Sequence, residues 1–213
     1  KKLDENSINF KLNNKELNLI RNHIVKIINK NENKEFKDFK KVYNFLNQTK
    51  FYNINKDLND FITLENDIVR ILKKRQLINN FITGIEFPAG VRILHPDTPK
   101  QLKGRFQTSS LHCDPWAGEP EDMINIVIYV EVSKNTPLFM LKRTSRININ
   151  ENLKLNNYYK SKMFLNSKKY FEELSKFSSL SNHKINHKNG EVYLFRGFVP
   201  HSTIKQGSKV RVG

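Results

Sequence analysis

The spacing of apolar residues changes near residue 80, and this change constrains the fold more than any other feature of the sequence. Before it, apolar side chains recur every three or four positions, as on one face of an amphipathic helix. After it, apolar runs are short, rich in β-branched and aromatic residues, and bounded by Pro and Gly, which is typical of strands. We therefore predict a single domain over 1–213, with helical support at 1–80 and a β-rich core at 81–213.

The N-terminal third is predicted to contain three helices. Their apolar stripes span 15–30, 35–48 and 58–76, and Asn13 or Asn14 is expected to cap the first helix. Stripes of this kind indicate core packing rather than a cofactor site.

Beyond residue 80, six runs are predicted strands: FITGIEF at 81–87, VRILH at 91–95, MINIVIYVEV at 123–132, PLFMLK at 137–142, EVYLFR at 191–196 and KVRV at 209–212. Short strands separated by turns favour a sandwich or barrel. A polar insertion at 144–189, with a predicted helix at 166–177, is either a functional lid or a plain surface excursion.

Composition narrows the function classes. The net charge of +16 favours an anionic partner, or else reflects a surface loaded with lysine and asparagine. The basic residues are spread along the chain rather than clustered with aromatics, so we prefer the second interpretation and expect no nucleic-acid partner. No apolar run approaches the ~20 residues of a membrane span. A single cysteine, Cys113, excludes an internal disulfide.

The chain ends suggest further expectations. The first ten residues lack the apolar stretch of a secretory signal, which with the single cysteine favours a cytoplasmic protein. They also lack a starting Met, and the sequence stops at Arg211-Val212-Gly213, so truncation at either end is open.

The most specific local pattern is Leu111-His112-Cys113-Asp114-Pro115-Trp116. In a strand, side chains two positions apart point to the same face, so His112 and Asp114 can bind one metal ion. Two histidines and one carboxylate on one face of the coordination sphere are the ligands of non-haem iron(II) oxygenases. Cys113 is expected to point away as a small buried residue.

A second pattern lies downstream. Gly190 precedes the apolar run 191–195, His201 follows Pro200, and Arg211 comes ten positions later. His201 can supply the third metal ligand. The planar guanidinium of Arg211 can hold a distant carboxylate through two hydrogen bonds. The order of these parts is more specific than any part alone.

Together these motifs resemble the iron(II)/2-oxoglutarate-dependent oxygenase superfamily, and within it the phytanoyl-CoA dioxygenase-like and streptomycin-biosynthesis-type group. The resemblance covers about 91–213 and also rests on the run 125–130 and on Asn135-Thr136-Pro137-Leu138. It implies a mainly β fold: a double-stranded β-helix, or cupin-like jelly roll, preceded by a helical third.

The resemblance also implies a function. His112, Asp114 and His201 would bind Fe(II), and Arg211 would bind the co-substrate 2-oxoglutarate with help from Asn125. The reaction would consume O2, release succinate and CO2, and hydroxylate a small molecule. We expect that molecule to be a sugar or another secondary metabolite. Arg92 could face the same pocket, although a surface role is favoured for it.

Other functions stay open at this point. A cupin-type isomerase or epimerase shares the jelly roll but usually has more histidine ligands and no need of Arg211. A non-catalytic basic binding module on the same scaffold, or a zinc hydrolase using two His and one Asp, is also conceivable. His95, His183 and His187 have no motif context and are expected on the surface or in loops.

Overall fold

The computed structural model describes the chain in segments. These comprise residues 2–4, 7–50, 52, 54, 58–78, 90–95, 123–132, 138–141, 182–185, 187–197, 201–203 and 209–213. The predicted strand at 81–87, the predicted helix at 166–177 and the motif around His112, with Cys113, Asp114 and Trp116, lie outside the described residues.

Two short strands, three helices and seven further strands follow one another along the described segments. In chain order they are β1 (Lys2–Asp4), β2 (Ser7–Lys11), α1 (Asn14–Glu32), α2 (Phe39–Gln48), α3 (Leu58–Lys74), β3 (Ile93–Leu94), β4 (Ile124–Ile128), β5 (Leu138–Leu141), β6 (Asn182–Ile185), β7 (Glu191–Arg196), β8 (His201–Thr203) and β9 (Arg211–Val212).

The three predicted helices are confirmed, and local hydrogen bonds fix their ends. Asn13 caps α1: its side chain accepts from the Glu16 amide at 2.9 Å, and the Glu16 carboxylate accepts from the Asn13 amide. Asp38 caps α2 by accepting from the Lys41 amide at 2.9 Å. That cap starts the second helix four residues later than the apolar stripe suggested.

A buried hydrogen bond joins two helices. His23 of α1 meets Asp67 of α3, with Nε2 and Oδ2 2.8 Å apart. Arg70 lies 2.9 Å from the other oxygen of Asp67, so that carboxylate has a partner on each side. Since a buried charge is costly unless paired, this contact fixes how α1 and α3 meet.

The strands form three separate sheets within the described segments. One has the order β1-β2-β7-β4, one pairs β3 with β9, and one has the order β6-β5-β8. An isolated bridge between Glu131 and Val212 joins the end of β4 to β9. The pairings are antiparallel.

The mainly β jelly roll expected from the sequence is wrong. The helices are 19, 10 and 17 residues long, whereas the described strands have two to six residues and do not close into a barrel. Short β-rich runs identify strands but not their partners, because pairing is set by contacts distant in sequence. The described chain therefore combines a helical layer with small sheets.

The hydrophobic core lies between the helices and one face of the strands. Its buried members come from all three helices, from β7 and from the segment around β9. They include Ile24, Ile28, Val42, Leu46, Phe61, Leu64, Val192, Leu194, Val210 and Val212. Because Val192 and Leu194 of β7 face the helices, the intervening Tyr193 and the following Phe195 point to the other side of the sheet. That second side carries the candidate site.

Candidate functional site

Three of the predicted site residues lie in the described segments. His201 begins β8 and is 9% exposed, Arg211 begins β9 and is 6% exposed, and Asn125 is half-buried in β4. The other two, His112 and Asp114, do not. Within the described segments no group of three or more His, Cys, Asp or Glu could hold a metal ion, so the triad stays a prediction.

A face of aromatic side chains organises the site. In the pairing of β4 with β7, Asn125 lies opposite Phe195 and Val127 opposite Tyr193, so these four share one face. Tyr129 continues that face, with its ring 5.7 Å from that of Tyr193. We call Asn125, Tyr129, Tyr193 and Phe195 the aromatic face.

His201 lies against one end of the aromatic face. Its ring meets that of Phe195 edge to face, with 4.8 Å between centroids. Phe195 is the direct cross-strand neighbour of Asn125. Two residues predicted to share a site, His201 and Asn125, therefore flank one phenyl ring, although 76 positions separate them in sequence.

Arg211 lies at the other end of the aromatic face. Val210 and Val212 on either side of it belong to the hydrophobic core, so Arg211 points to the opposite side. Its guanidinium carbon is 5.5 Å from the centre of the Tyr129 ring. Burial lowers its pKa; the Tyr129 phenol acts the other way and the charge of Arg92 adds to the lowering.

The charge of Arg211 is not balanced by a described carboxylate. Its buried Nη1 has no hydrogen-bond partner among the described residues, and none of their ion pairs includes it. Glu191, the acidic residue of β7, accepts hydrogen bonds from the Tyr193 hydroxyl at 3.1 Å and from the Lys188 amide at 2.9 Å. A buried guanidinium in this state is suited to an anionic ligand.

His187 lies beside Tyr129 and Arg211, and no sequence motif indicated this position. Its ring stacks on Tyr129 with 3.6 Å between centroids and an interplanar angle of 11°, and it meets Tyr193 edge to face at 5.1 Å. His187 was expected on the surface or in a loop; it does lie outside the helices and strands, but its side chain is half-buried. No local signal predicts contact with a tyrosine 58 positions away.

A rigid turn holds His187 in place. The Asn189 side chain donates to Glu131 and accepts from the Val132 amide, both at 2.8 Å. Gly190 has a φ of 80°, which favours glycine, and donates to the Tyr129 carbonyl at 2.6 Å. Arg21 of α1 pairs with Glu131 at 2.6 Å, so the turn is also tied to the helical layer.

Two further histidines were also expected on the surface or in loops. His95 directly follows β3 and is only 1% exposed, and His183 lies within β6. The burial of His95 was not predictable from the sequence, because β3 pairs with β9, a strand distant in sequence.

The environment of His187 predicts how stability depends on pH. Burial, and less strongly the charge of Arg211, lowers the pKa of His187 from 6.5 to about 3. The folded state therefore binds fewer protons than the unfolded state between these values, and stability falls as the pH drops through that window. We expect the titration of His187 to lower the unfolding free energy by up to about 1.4 kcal/mol for each pH unit of acidification.

Urea denaturation at several pH values between 7.5 and 4 would measure this contribution. His187→Gln should show a shallower loss of stability with acidification than the native chain, because the glutamine does not titrate. Equal slopes for the two proteins would contradict the burial-driven shift.

Comparison with protein-family models, curated proteins and solved structures finds no match to this chain. The function is therefore inferred from the residues of this chain alone. None of the helices in the described segments has the length and hydropathy required to cross a membrane.

Proposed function

We propose that this chain is an iron(II)- and 2-oxoglutarate-dependent oxygenase that hydroxylates a small molecule. The observation that carries the proposal is the buried guanidinium of Arg211, whose Nη1 has no partner among the described residues. Arg211 lies at one end of the aromatic face and His201 at the other. His201 is the one predicted metal ligand that the described segments include.

The donors present fit a dicarboxylate co-substrate. A carboxylate can accept two parallel hydrogen bonds from an arginine, and such a contact is strongest where water is excluded. Arg211 offers that contact from a site with 6% exposure, between Tyr129 and the core. A cupin-type isomerase, or a binding module that uses surface charge, leaves this buried guanidinium without a task.

Each residue then has a role. His112, Asp114 and His201 would hold the iron, which when bound supplies the oxidation of 2-oxoglutarate to succinate and CO2 and of the substrate by O2. Arg211 orients the co-substrate by its distal carboxylate. Tyr129 and His187 exclude water from that carboxylate, and Asn125 offers an amide on the same face.

With the metal and the co-substrate held in this way, the substrate would bind on the side of the metal that the protein ligands and the co-substrate leave open. We propose a small polar molecule for that position, of a sugar or secondary-metabolite type, in a cytoplasmic setting. The positive charge of the chain is compatible with an anionic group on the substrate.

Succinate formation tests the function directly. The native chain, supplied with Fe(II), ascorbate, O2 and 2-oxoglutarate, should release succinate above a no-iron control, and a panel of sugars and nucleotide sugars should increase that release for a suitable substrate. Replacement of Fe(II) by Zn(II) should abolish it. Succinate release that is absent with iron, or equal with zinc, would overturn the proposal.

A further inference from the structure

Arg92 lies next to Arg211 on the same face of the β3–β9 pair. Leu94 is the cross-strand partner of Arg211, and Ile93 is that of Val212. Arg92 and Gly213 exchange both backbone hydrogen bonds, at 2.6 and 3.0 Å, which makes them a directly opposed pair. Arg92 is therefore the diagonal neighbour of Arg211, and such neighbours lie about 7–8 Å apart on a shared face.

Alternation along β3 supports the same orientation. Val91 and Ile93 pack against the hydrophobic core, so Arg92 points to the opposite side, where Arg211 and Tyr129 lie. The pKa of Tyr129 is raised to about 12 by burial, and the charges of Arg211 and Arg92 both act to lower it. Both guanidinium groups thus act on one phenol.

Two adjacent positive charges repel one another unless an anion lies between them. No ion pair within the described segments includes Arg92 or Arg211. Arg92 is exposed and Arg211 buried, so an incoming ligand can reach the first and would be desolvated by the second. A carboxylate has about four lone-pair positions and can accept from both groups at once.

We propose that Arg92 and Arg211 form a two-arginine clamp for a single carboxylate, an inference that rests on the proposed function. Arg92, which is exposed as the sequence suggested, is then a second anion-binding residue. The clamp selects co-substrates that carry a distal carboxylate over those that end in a methyl group.

A matched pair of 2-oxo acids tests this clamp. 2-Oxoglutarate and 2-oxopentanoate have the same five-carbon chain, but only the first has a distal carboxylate. Affinities would be measured by calorimetry on the full chain with Mn(II) in place of Fe(II). Arg92→Gln should weaken 2-oxoglutarate binding about 10- to 100-fold, as expected for the loss of a hydrogen bond to a charged group, and leave 2-oxopentanoate binding unchanged.

Two further variants sharpen the test. Arg92→Lys should restore part of the lost affinity, because it keeps the charge but not the planar fork. Arg196→Gln is the matched control: Arg196 is exposed on β7 and follows the helix-facing alternation of Leu194, away from the aromatic face. It should leave both affinities unchanged.

The failing outcomes separate the clamp from the oxygenase function. Unchanged 2-oxoglutarate affinity in Arg92→Gln, or an equal loss for both acids, would overturn the clamp while the native preference for 2-oxoglutarate still stands. A native chain that binds the two acids equally would instead overturn the proposed function, and the clamp with it.

Discussion

His201→Ala should reduce succinate formation by more than about 100-fold. Residues that only orient a metal ligand already change metal affinity or activity by about 10- to 100-fold, so loss of a ligand should exceed that range. The buried position of His201 beside Phe195 leaves its imidazole on the aromatic face, where iron and co-substrate are proposed to lie. Calorimetric titration with iron should show that the variant binds the metal more weakly than the native chain does.

A packing role for His201 is separated from a ligand role by His201→Phe. Phenylalanine preserves an edge-to-face contact with Phe195 but has no nitrogen to bind a metal. If the imidazole is a ligand, His201→Phe is folded and as inactive as the alanine variant. Near-native succinate release from His201→Phe would show that the ring serves only to pack.

The helical layer was predictable because its signals are local. Apolar spacing located α1, α2 and α3 to within four residues at each end, and Asn13 was one of the two residues named as the first cap. The error at the start of α2 has a local cause, since Asp38 caps the helix where the apolar stripe had already begun.

The sheets were less predictable because their contacts are distant. β2 spans only Ser7–Lys11, within a region predicted mostly helical, and it pairs with β7 some 180 residues away, Phe10 opposite Val192. Apolar alternation in five residues is too weak to overrule the helical pattern that follows it. The fold class was wrong for the same reason: β1, β2 and β6 were not predicted as strands, and the grouping of the strands into three small sheets was not predicted either.

The candidate site divides along the same line. Arg211, His201 and Asn125 were named because their order in sequence resembles that of a known family. His187 was not predicted to belong to the site, and Arg92 was expected at the surface, where it does lie. Their positions beside Arg211 depend on the Tyr129 contact and on the β3–β9 register, which are not local signals. Sequence motifs identify the residues that could carry the chemistry, and the strand register determines which side chains surround those residues.

Arg211→Leu should weaken 2-oxoglutarate binding by at least about 30-fold and leave metal affinity unchanged. Truncating one partner of a buried charge pair usually costs about 2–5 kcal/mol, much of it from the carboxylate left unpaired. Affinity would be measured by calorimetry with Mn(II). Arg196→Leu, on the opposite side of the sheet and exposed, is the control and should bind 2-oxoglutarate as the native chain does.

The same variant makes an opposite prediction for stability. In the ligand-free chain Arg211 is a buried charge without a described carboxylate partner, and replacing such a charge by an apolar side chain is often neutral or stabilising. Arg211→Leu should therefore unfold at a urea concentration no lower than that of the native chain while losing its co-substrate. If Arg211 served only the folding of the chain, Arg211→Leu would be less stable than the native chain and would still bind 2-oxoglutarate. That result would show that Arg211 does not bind the anion.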